Sequence, residues 1–292
     1  MKYLQMVLFS LLFALISCTS AEKKTAPPTE LTIGTFNVQF LSDQLEAGDV
    51  PRSAEDIDQL VRLIHETGFQ LMAVQEVSAP GSLELLQAHG LSGAWALALG
   101  ASGGSQRVGI LYDTRVVEAL DDVRELDHDD GLIPADWSGL RYPLAATVVV
   151  RGGLTFTLVS VHLKAGITAA GANQRARQVE QLTAWAAAEN APLLIMGDFN
   201  DTFAGILETV DSLAALEAAT DTGRFLTEDL ANDFTSLEFQ DLIDHVFASP
   251  ALDARLVHGS LSTVKFDQDA SYAGFSISDH RPVRFTISLL EE

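Results

Sequence analysis

Leu193-Leu194-Ile195-Met196 is a run of apolar residues that reads as a buried strand, and Gly197-Asp198-Phe199-Asn200-Asp201 follows it at once. Gly197 breaks the run, and the chain turns there. Asp198 and Asn200 stand two residues apart, a spacing that aims both side chains the same way in extended backbone. A carboxylate beside a carboxamide at the lip of a buried sheet is poor packing. It is a good way to hold a water molecule and a phosphoryl oxygen. The same residues also read as an Asx turn after a strand, so the company they keep must decide.

That company is polar groups at the ends of other apolar strands. Asn37 falls where Thr35-Phe36-Asn37-Val38 closes the first strand. Glu76 ends Leu71–Val77, and His162 ends Thr157-Leu158-Val159-Ser160-Val161. Asp244-His245 sits inside Leu242-Ile243-Asp244-His245-Val246-Phe247, and Asp279-His280 precedes Arg281-Pro282-Val283. Each alone has an ordinary explanation. Glu76 reads equally as a helix-start carboxylate near Ser78, His162 as a satisfied core histidine, Asp279 as a turn cap, and Asp244 as a strand residue facing solvent. Their order and local contexts together are much harder to reach by accident.

The elements that must carry these residues alternate in type. Strands are expected over Leu31–Val38, Leu71–Val77, Arg107–Tyr112, Leu193–Met196, Leu242–Ala248 and Pro282–Leu289. Tyr142–Val150 and Leu154–His162 predict a hairpin across Arg151-Gly152-Gly153. Ser53 predicts a helix cap, with Ile57, Leu60, Val61 and Ile64 at helical spacing behind it. Further helices are expected over Ser82–Ala88 and Gly171–Glu189, the latter with Val179, Leu182 and Trp185 on one face. There is no internal repeat. Hairpins mixed with helical crossovers predict a layered α/β domain rather than a doubly wound parallel sheet.

The pieces Thr35-Phe36-Asn37-Val38, Val74-Gln75-Glu76-Val77, Ser160-Val161-His162-Leu163-Lys164, Gly197-Asp198-Phe199-Asn200, Ile243-Asp244-His245-Val246 and Ser278-Asp279-His280-Arg281-Pro282 together closely resemble the endonuclease/exonuclease/phosphatase family, the deoxyribonuclease I-like fold. They run from residue 35 to 282. The resemblance implies a four-layer α/β/β/α sandwich, with two mixed sheets face to face, helices outside and the active site at one edge. It implies metal-dependent phosphoester chemistry with Mg²⁺ or Mn²⁺, hard cations that prefer oxygen ligands. Glu76 is the best metal ligand. Asn37 offers a carbonyl oxygen beside it, and Asp279 is a further ligand. Asp198 orients or deprotonates the attacking water, and Asn200 donates to a phosphoryl oxygen. His280, protonated and oriented by Asp244, stabilises charge on that oxygen. His162 acts as general acid on the leaving oxygen. Arg141, in Arg141-Tyr142-Pro143-Leu144, resembles a family arginine that contacts phosphate; it reads equally as a surface hairpin charge. One position departs from the pattern: many members carry an acidic residue after Asn37-Val38, and here it is Gln39. That favours one metal over two.

Composition bounds the rest. The chain has 292 residues, 47% hydrophobic, enough for a large core. Its net charge is -22, from 40 acidic and 18 basic residues. That disfavours a protein that lives on duplex phosphate contacts, but not a nuclease whose bound cation supplies the positive charge. Met1-Lys2 followed by the uncharged apolar run Tyr3–Ile16 and Ser17-Cys18 resembles a bacterial lipoprotein signal. Residues 1–17 would be the signal peptide, Cys18 the lipidated residue, 18–30 a tether and 31–292 the catalytic domain. The alternative is an ordinary cleaved secretory signal with a chance cysteine. The expected location is therefore an exported, membrane-anchored lipoprotein, in the outer membrane of a Gram-negative host. The expected substrate is a phosphodiester, with nucleic acid first and a lipid or small phosphoester second. A catalytically silent binding module is a third reading, disfavoured because every motif residue is present. No protein partner is expected, and the chain is read as a monomer.

Overall fold

The structure is a computed structural model describing residues 28–205, 210–219, 221–230 and 232–290. Its strands in chain order are β1 (Glu30–Leu41), β2 (Leu71–Val77), β3 (Trp95–Leu99), β4 (Arg107–Asp113), β5 (Val117–Glu125), β6 (Leu144–Val150), β7 (Thr155–His162), β8 (Leu193–Asp198), β9 (Arg224–Phe225), β10 (Asp244–Ala248), β11 (Ser262–Thr263) and β12 (Val283–Ser288). The helices are α1 (Ala54–Glu66), α2 (Ser82–Ala88), α3 (Pro134–Trp137), α4 (Ala169–Ala186), α5 (Ala214–Ala218) and α6 (Pro250–Asp253). One sheet runs β11-β12-β1-β2-β4-β3 and the other β5-β6-β7-β8-β10-β9. Both are mixed: β1 and β2 pair in parallel, as do β7 and β8, while the other neighbours are antiparallel.

The two sheets face each other, with helices outside. Leu31 and Ile33 of β1, Leu71 and Ala73 of β2, Phe156 and Leu158 of β7, Leu194 and Met196 of β8 and Val246 of β10 share the core between the sheets. Phe36 and Val38 turn the other way, against Ile57, Leu60 and Ile64 of α1. Val159, Val161 and Ile195 likewise pack on Val179, Leu182 and Trp185 of α4. Period-two alternation therefore assigns each strand residue to one face. Followed to the strand ends, the inward rows become Leu31-Ile33-Thr35-Asn37, Phe156-Leu158-Ser160-His162 and Leu194-Met196-Asp198. In β10 the same rule turns Asp244 inward and His245 outward.

Below this edge the core contains a sealed polar bridge. Thr35 Oγ1 donates to Gln75 Oε1 at 3.2 Å, and Gln75 Nε2 donates to Ser160 Oγ at 3.3 Å. The bridge crosses from β2 to β7 and fixes one sheet on the other.

Several expectations hold with shifted ends. Ser53 closes a capping box with Asp56 at the start of α1. The hairpin of β6 and β7 forms as read. The first strand continues past Val38 to Leu41, and the Leu193 strand continues to Asp198. The strands β3 and β5 were not foreseen. In β5, Val-Glu-Ala-Leu-Asp-Asp-Val-Arg-Glu is largely exposed at a sheet edge, so neither a continuous run nor clean alternation announces it. The signal segment 1–17, Cys18 and the tether up to Ala26 and Pro27 lie outside the described residues. Among the described residues no helix is long and apolar enough to cross a membrane.

Candidate active site

Strand direction brings the polar ends together. β7 and β8 are parallel with His162 beside Asp198, and β10 runs antiparallel with Asp244 beside Asp198. Across the gap, Asn37 pairs in register with Gln75, next to Glu76. β12 runs antiparallel to β1, so Asp279-His280 enters at the same edge.

Gly197 allows this closeness. Its φ is 151°, and a Cβ there would sit 2.0 Å from the Val161 carbonyl oxygen. No other residue type fits. Glu76 also holds a rare backbone conformation, with φ at 60°, at a point where β2 slips register against β1 and β4. A left-handed conformation costs a non-glycine residue on the order of 1 kcal/mol or more. The bulge re-aims the Glu76 carboxylate toward the site. Asn200 is left-handed as well, at 54°, which asparagine tolerates better.

Asp198 is the hub, with a side chain 2% exposed. Its Oδ2 accepts from Asn37 Nδ2 at 3.0 Å. The same oxygen lies 3.4 Å from His162 Nε2 and 3.9 Å from His280 Nε2. Its Oδ1 accepts from the Asn200 amide at 2.8 Å. Burial raises the pKa of Asp198, and the Asp244 charge adds to this, while His280 opposes it. On the far side His280 Nδ1 donates to Asp244 Oδ2 at 2.7 Å. Burial disfavours charge on His280, but Asp244, then Asp198 and Asp279, outweigh it and hold the imidazolium to about 10. His162 is the opposite case. Burial first, then the Arg141 and His280 charges, push it well below the usual histidine range. It is therefore neutral, and its contact with Asp198 is not an ion pair.

Glu76 lies 3.8 Å from His162 Nε2 through Oε1. Burial raises its pKa and the Asp279 charge adds to that, against the Asn37 carboxamide and the His280 and Arg141 charges. Glu76 and Asp279 thus crowd negative charge into one space, and a divalent cation is what would relieve it. Asn37 fits less simply. Its Oδ1 already accepts from the Gln39 amide at 3.0 Å, leaving one lone pair for a metal. A second donor set, Asp198, Asp244 and His280, gathers ligand atoms within 4.8 Å of one another. A histidine protonated to about 10 has no lone pair to offer at neutral pH. The oxygen-rich Glu76 side suits a hard cation better.

Arg141 is buried rather than a surface hairpin charge, at 3% exposure. Its guanidinium donates to the Leu163 carbonyl at 2.8 Å and to Gln106 Oε1 at 3.2 Å, and its buried Nε has no partner. Asn200 Nδ2 reaches the same Leu163 carbonyl at 3.3 Å. The residues read from the sequence, Asn37, Glu76, Arg141, His162, Asp198, Asn200, Asp244, Asp279 and His280, therefore stand at one edge of the sandwich. Asp279 is half-buried beside Arg52 and Glu76.

Other contributors were not read from the sequence. Arg52 donates to the carbonyls of Val38, Ser276 and Ile277, tying the end of β1 to the segment before Asp279. Ser278 Oγ donates to the Asn37 carbonyl at 2.6 Å and accepts from the His280 amide at 3.0 Å. Thr235 Oγ1 accepts from the amides of Ile243 and Asp244, both at 3.1 Å. Ser278, within Ser278-Asp279-His280, was the one with a local signal.

The profile of the Endonuclease/Exonuclease/phosphatase family matches residues 34–280. The chain belongs to that family, whose members hydrolyse phosphoester bonds. Solved structures share the fold. TDP2 of D. rerio, complexed with single strand DNA product, aligns at a TM-score of 0.64 and 15% identity, over 89% of this chain and 99% of its own. An endonuclease/exonuclease/phosphatase from Bacteroides vulgatus aligns at 0.65 and 17%, over 90% and 100%. An AP endonuclease from Archaeoglobus fulgidus aligns at 0.61 and 16%, over 88% and 99%. No curated protein sequence matches the chain.

Proposed function

We propose that this member is a divalent-cation-dependent phosphodiesterase that cleaves by in-line attack of water, with nucleic acid as its substrate. The observation that carries the reading is the contrast around Asp198: a buried carboxylate flanked by a neutral His162 and a cationic His280. A carboxylate of raised proton affinity is suited to take a proton from water. A cationic His280 is suited to stabilise charge growing on a phosphoryl oxygen. Asn200 and Arg141, which meet at the Leu163 carbonyl, would be further donors toward that oxygen. Glu76 and Asp279, with the remaining lone pair of Asn37, would hold Mg²⁺ or Mn²⁺, which supplies Lewis-acid polarisation of the phosphoryl group when bound. His162 rests neutral. Serving as general acid requires it first to gain a proton, which the negative charge of a bound phosphate favours.

A lipid or small-molecule phosphoester is the second reading, favoured by the net charge of -22. On the proposal that Cys18 carries a lipid in an exported protein, the anchor would hold the enzyme at a membrane surface, which suits that reading as well.

The deciding experiment offers plasmid DNA, RNA, sphingomyelin and inositol phosphates to purified protein with Mg²⁺, with and without chelator. Cleavage of DNA or RNA that chelator abolishes and Mg²⁺ or Mn²⁺ restores is the expected result. Full activity in excess chelator removes the cation, and turnover of lipid alone moves the substrate to the second reading. The anchor is tested by fractionation: Cys18→Ala should leave the membrane fraction, and retention there would mean that another segment holds the protein.

A further inference from the structure

We propose that Gln106 is a positioning residue that keeps the Glu76 carboxylate free for a divalent cation by standing between it and Arg141. This rests on the cation reading above. Gln106 Nε2 donates to Glu76 Oε1 at 3.1 Å, and Gln106 Oε1 accepts from Arg141 at 3.2 Å. One neutral amide thus separates a buried cation from a buried anion. Its orientation is fixed by chemistry: a carboxylate needs the NH₂ end and a guanidinium the oxygen end.

Without that amide the two charges would attract strongly in a site of low dielectric. A guanidinium grips a carboxylate through two parallel hydrogen bonds, occupying the lone pairs a metal would use. Arg141 has a donor to spare for such a grip. Its Nε is unpartnered, and beyond Gln106 its polar contact is one backbone carbonyl, that of Leu163. Gln106 converts this direct competition into a chain of charge-assisted hydrogen bonds through one neutral amide. The chain continues through the Leu163 carbonyl to Asn200 and from the Asn200 amide to Asp198.

The loop before β4 is built to hold Gln106 in place. Its amide bonds the Gly103 carbonyl at 2.9 Å. Gly103 has φ at 90°, and a Cβ there would lie 2.6 Å from Arg141 Cβ, so the loop lies flat on the arginine. Ser102 donates through both its amide and its hydroxyl to Glu125 Oε1 at 2.8 and 2.7 Å, and its Oγ accepts from the Tyr142 amide at 2.7 Å. Ser78 Oγ donates to the Ser105 carbonyl at 3.0 Å, tying the loop to the segment that follows Glu76. These bonds fix the backbone from which the Gln106 side chain reaches between the two charges.

The test is Mn²⁺ binding followed by the electron paramagnetic resonance signal of free Mn²⁺, on the full folded domain without substrate. Gln106→Met keeps the volume and removes both hydrogen bonds. It should weaken Mn²⁺ by about 10-fold or more, the scale for losing a partner of a metal ligand. The double variant Gln106→Met/Arg141→Met should recover binding to within about 3-fold of Arg141→Met alone, because the competing cation is gone. A merely structural role predicts no such recovery. Gln106 is only partly buried, so Gln106→Ala provides a second, smaller variant with the same expectation. Wild-type Mn²⁺ affinity in Gln106→Met, or a double variant as weak as Gln106→Met alone, overturns the proposal. A wild-type protein that binds no Mn²⁺ overturns the cation reading with it.

Discussion

Asp244 accepts a 2.7 Å hydrogen bond from His280 Nδ1, and the two side chains are 1% and 10% exposed. The Asp244 carboxylate is therefore the reason a buried imidazole keeps its proton to about 10. In Asp244→Asn the largest charge that offsets the desolvation penalty is gone, and the His280 pKa should fall from about 10. The rate should drop roughly 10²-fold or more at neutral pH, the scale for one positioned transition-state group. The alkaline limb of the pH–rate profile should move down from near pH 10. A stability effect of definite sign accompanies it. A histidine whose folded pKa is raised binds its proton more tightly than the unfolded chain does. The pair's contribution is full below about pH 6.5 and is lost as pH rises toward 10. The gap in melting temperature between wild type and Asp244→Asn should thus be widest near pH 6 and narrow by pH 10. A gap that widens with pH would show that His280 is not the charged partner.

Much of this site was legible because strand periodicity and strand ends carry it. Asn37, His162 and Asp198 continue inward rows whose earlier members are Ile33, Leu158 and Met196, so a polar residue there breaks an apolar pattern visibly. Glu76 was legible by position, but its left-handed backbone was not, since nothing in Val74-Gln75-Glu76-Val77 announces a bulge. Arg52 and Gln106 were silent for a different reason. Each is a single polar residue in a loop, and its meaning lies in partners far along the chain: Ser276 and Ile277 for Arg52, Arg141 for Gln106. Strand β5 was missed because an exposed edge strand has too little apolar surface to mark it.

His245 shows what the second residue of Asp244-His245 does. It points outward, into a cage of Phe199, Phe203 and Phe225, with ring centroids 5.6, 4.5 and 5.5 Å away. Its Nε2 lies 2.9 Å from the Asp201 carbonyl and its Nδ1 3.0 Å from Thr227 Oγ1. It therefore braces the loop that follows Asp198 and Asn200. Burial pushes its pKa down to about 4. The unfolded chain takes up a proton near pH 6.5 that the folded chain refuses until about 4, so stability is lost as pH falls through that window. The loss reaches about 3 kcal/mol, at 1.36 kcal/mol per unit. His245→Gln, whose Nε2 can still reach the Asp201 carbonyl, should be less stable at pH 7 but lose less between pH 6.5 and 4. Denaturant melts across that range measure it, and equal slopes for the two proteins would remove His245 from the acid response.

The last prediction concerns how an acidic enzyme meets a polyanion. The net charge of -22 repels nucleic acid at long range. That repulsion is screened over a Debye length of roughly 10 Å at 0.1 M salt. With DNA as substrate, raising monovalent salt from very low ionic strength should first increase the initial rate at fixed, saturating Mg²⁺. Proteins that bind through many lysine and arginine contacts do the reverse, losing affinity steeply as counterions compete. The charged groups found at this site make the difference intelligible. Arg141 is buried and held by Leu163 and Gln106, and Arg52 is buried and held by three carbonyls. Neither forms an exposed basic groove that would exchange counterions. Divalent cations should help twice, in the site and by masking surface carboxylates. A zwitterionic lipid substrate should show little salt dependence at long range. Initial rates against monovalent salt, for DNA and for such a lipid, separate the cases. A steep, monotonic loss of DNA cleavage with salt would require a local basic surface, around Arg107 and Lys164, that dominates over the global charge.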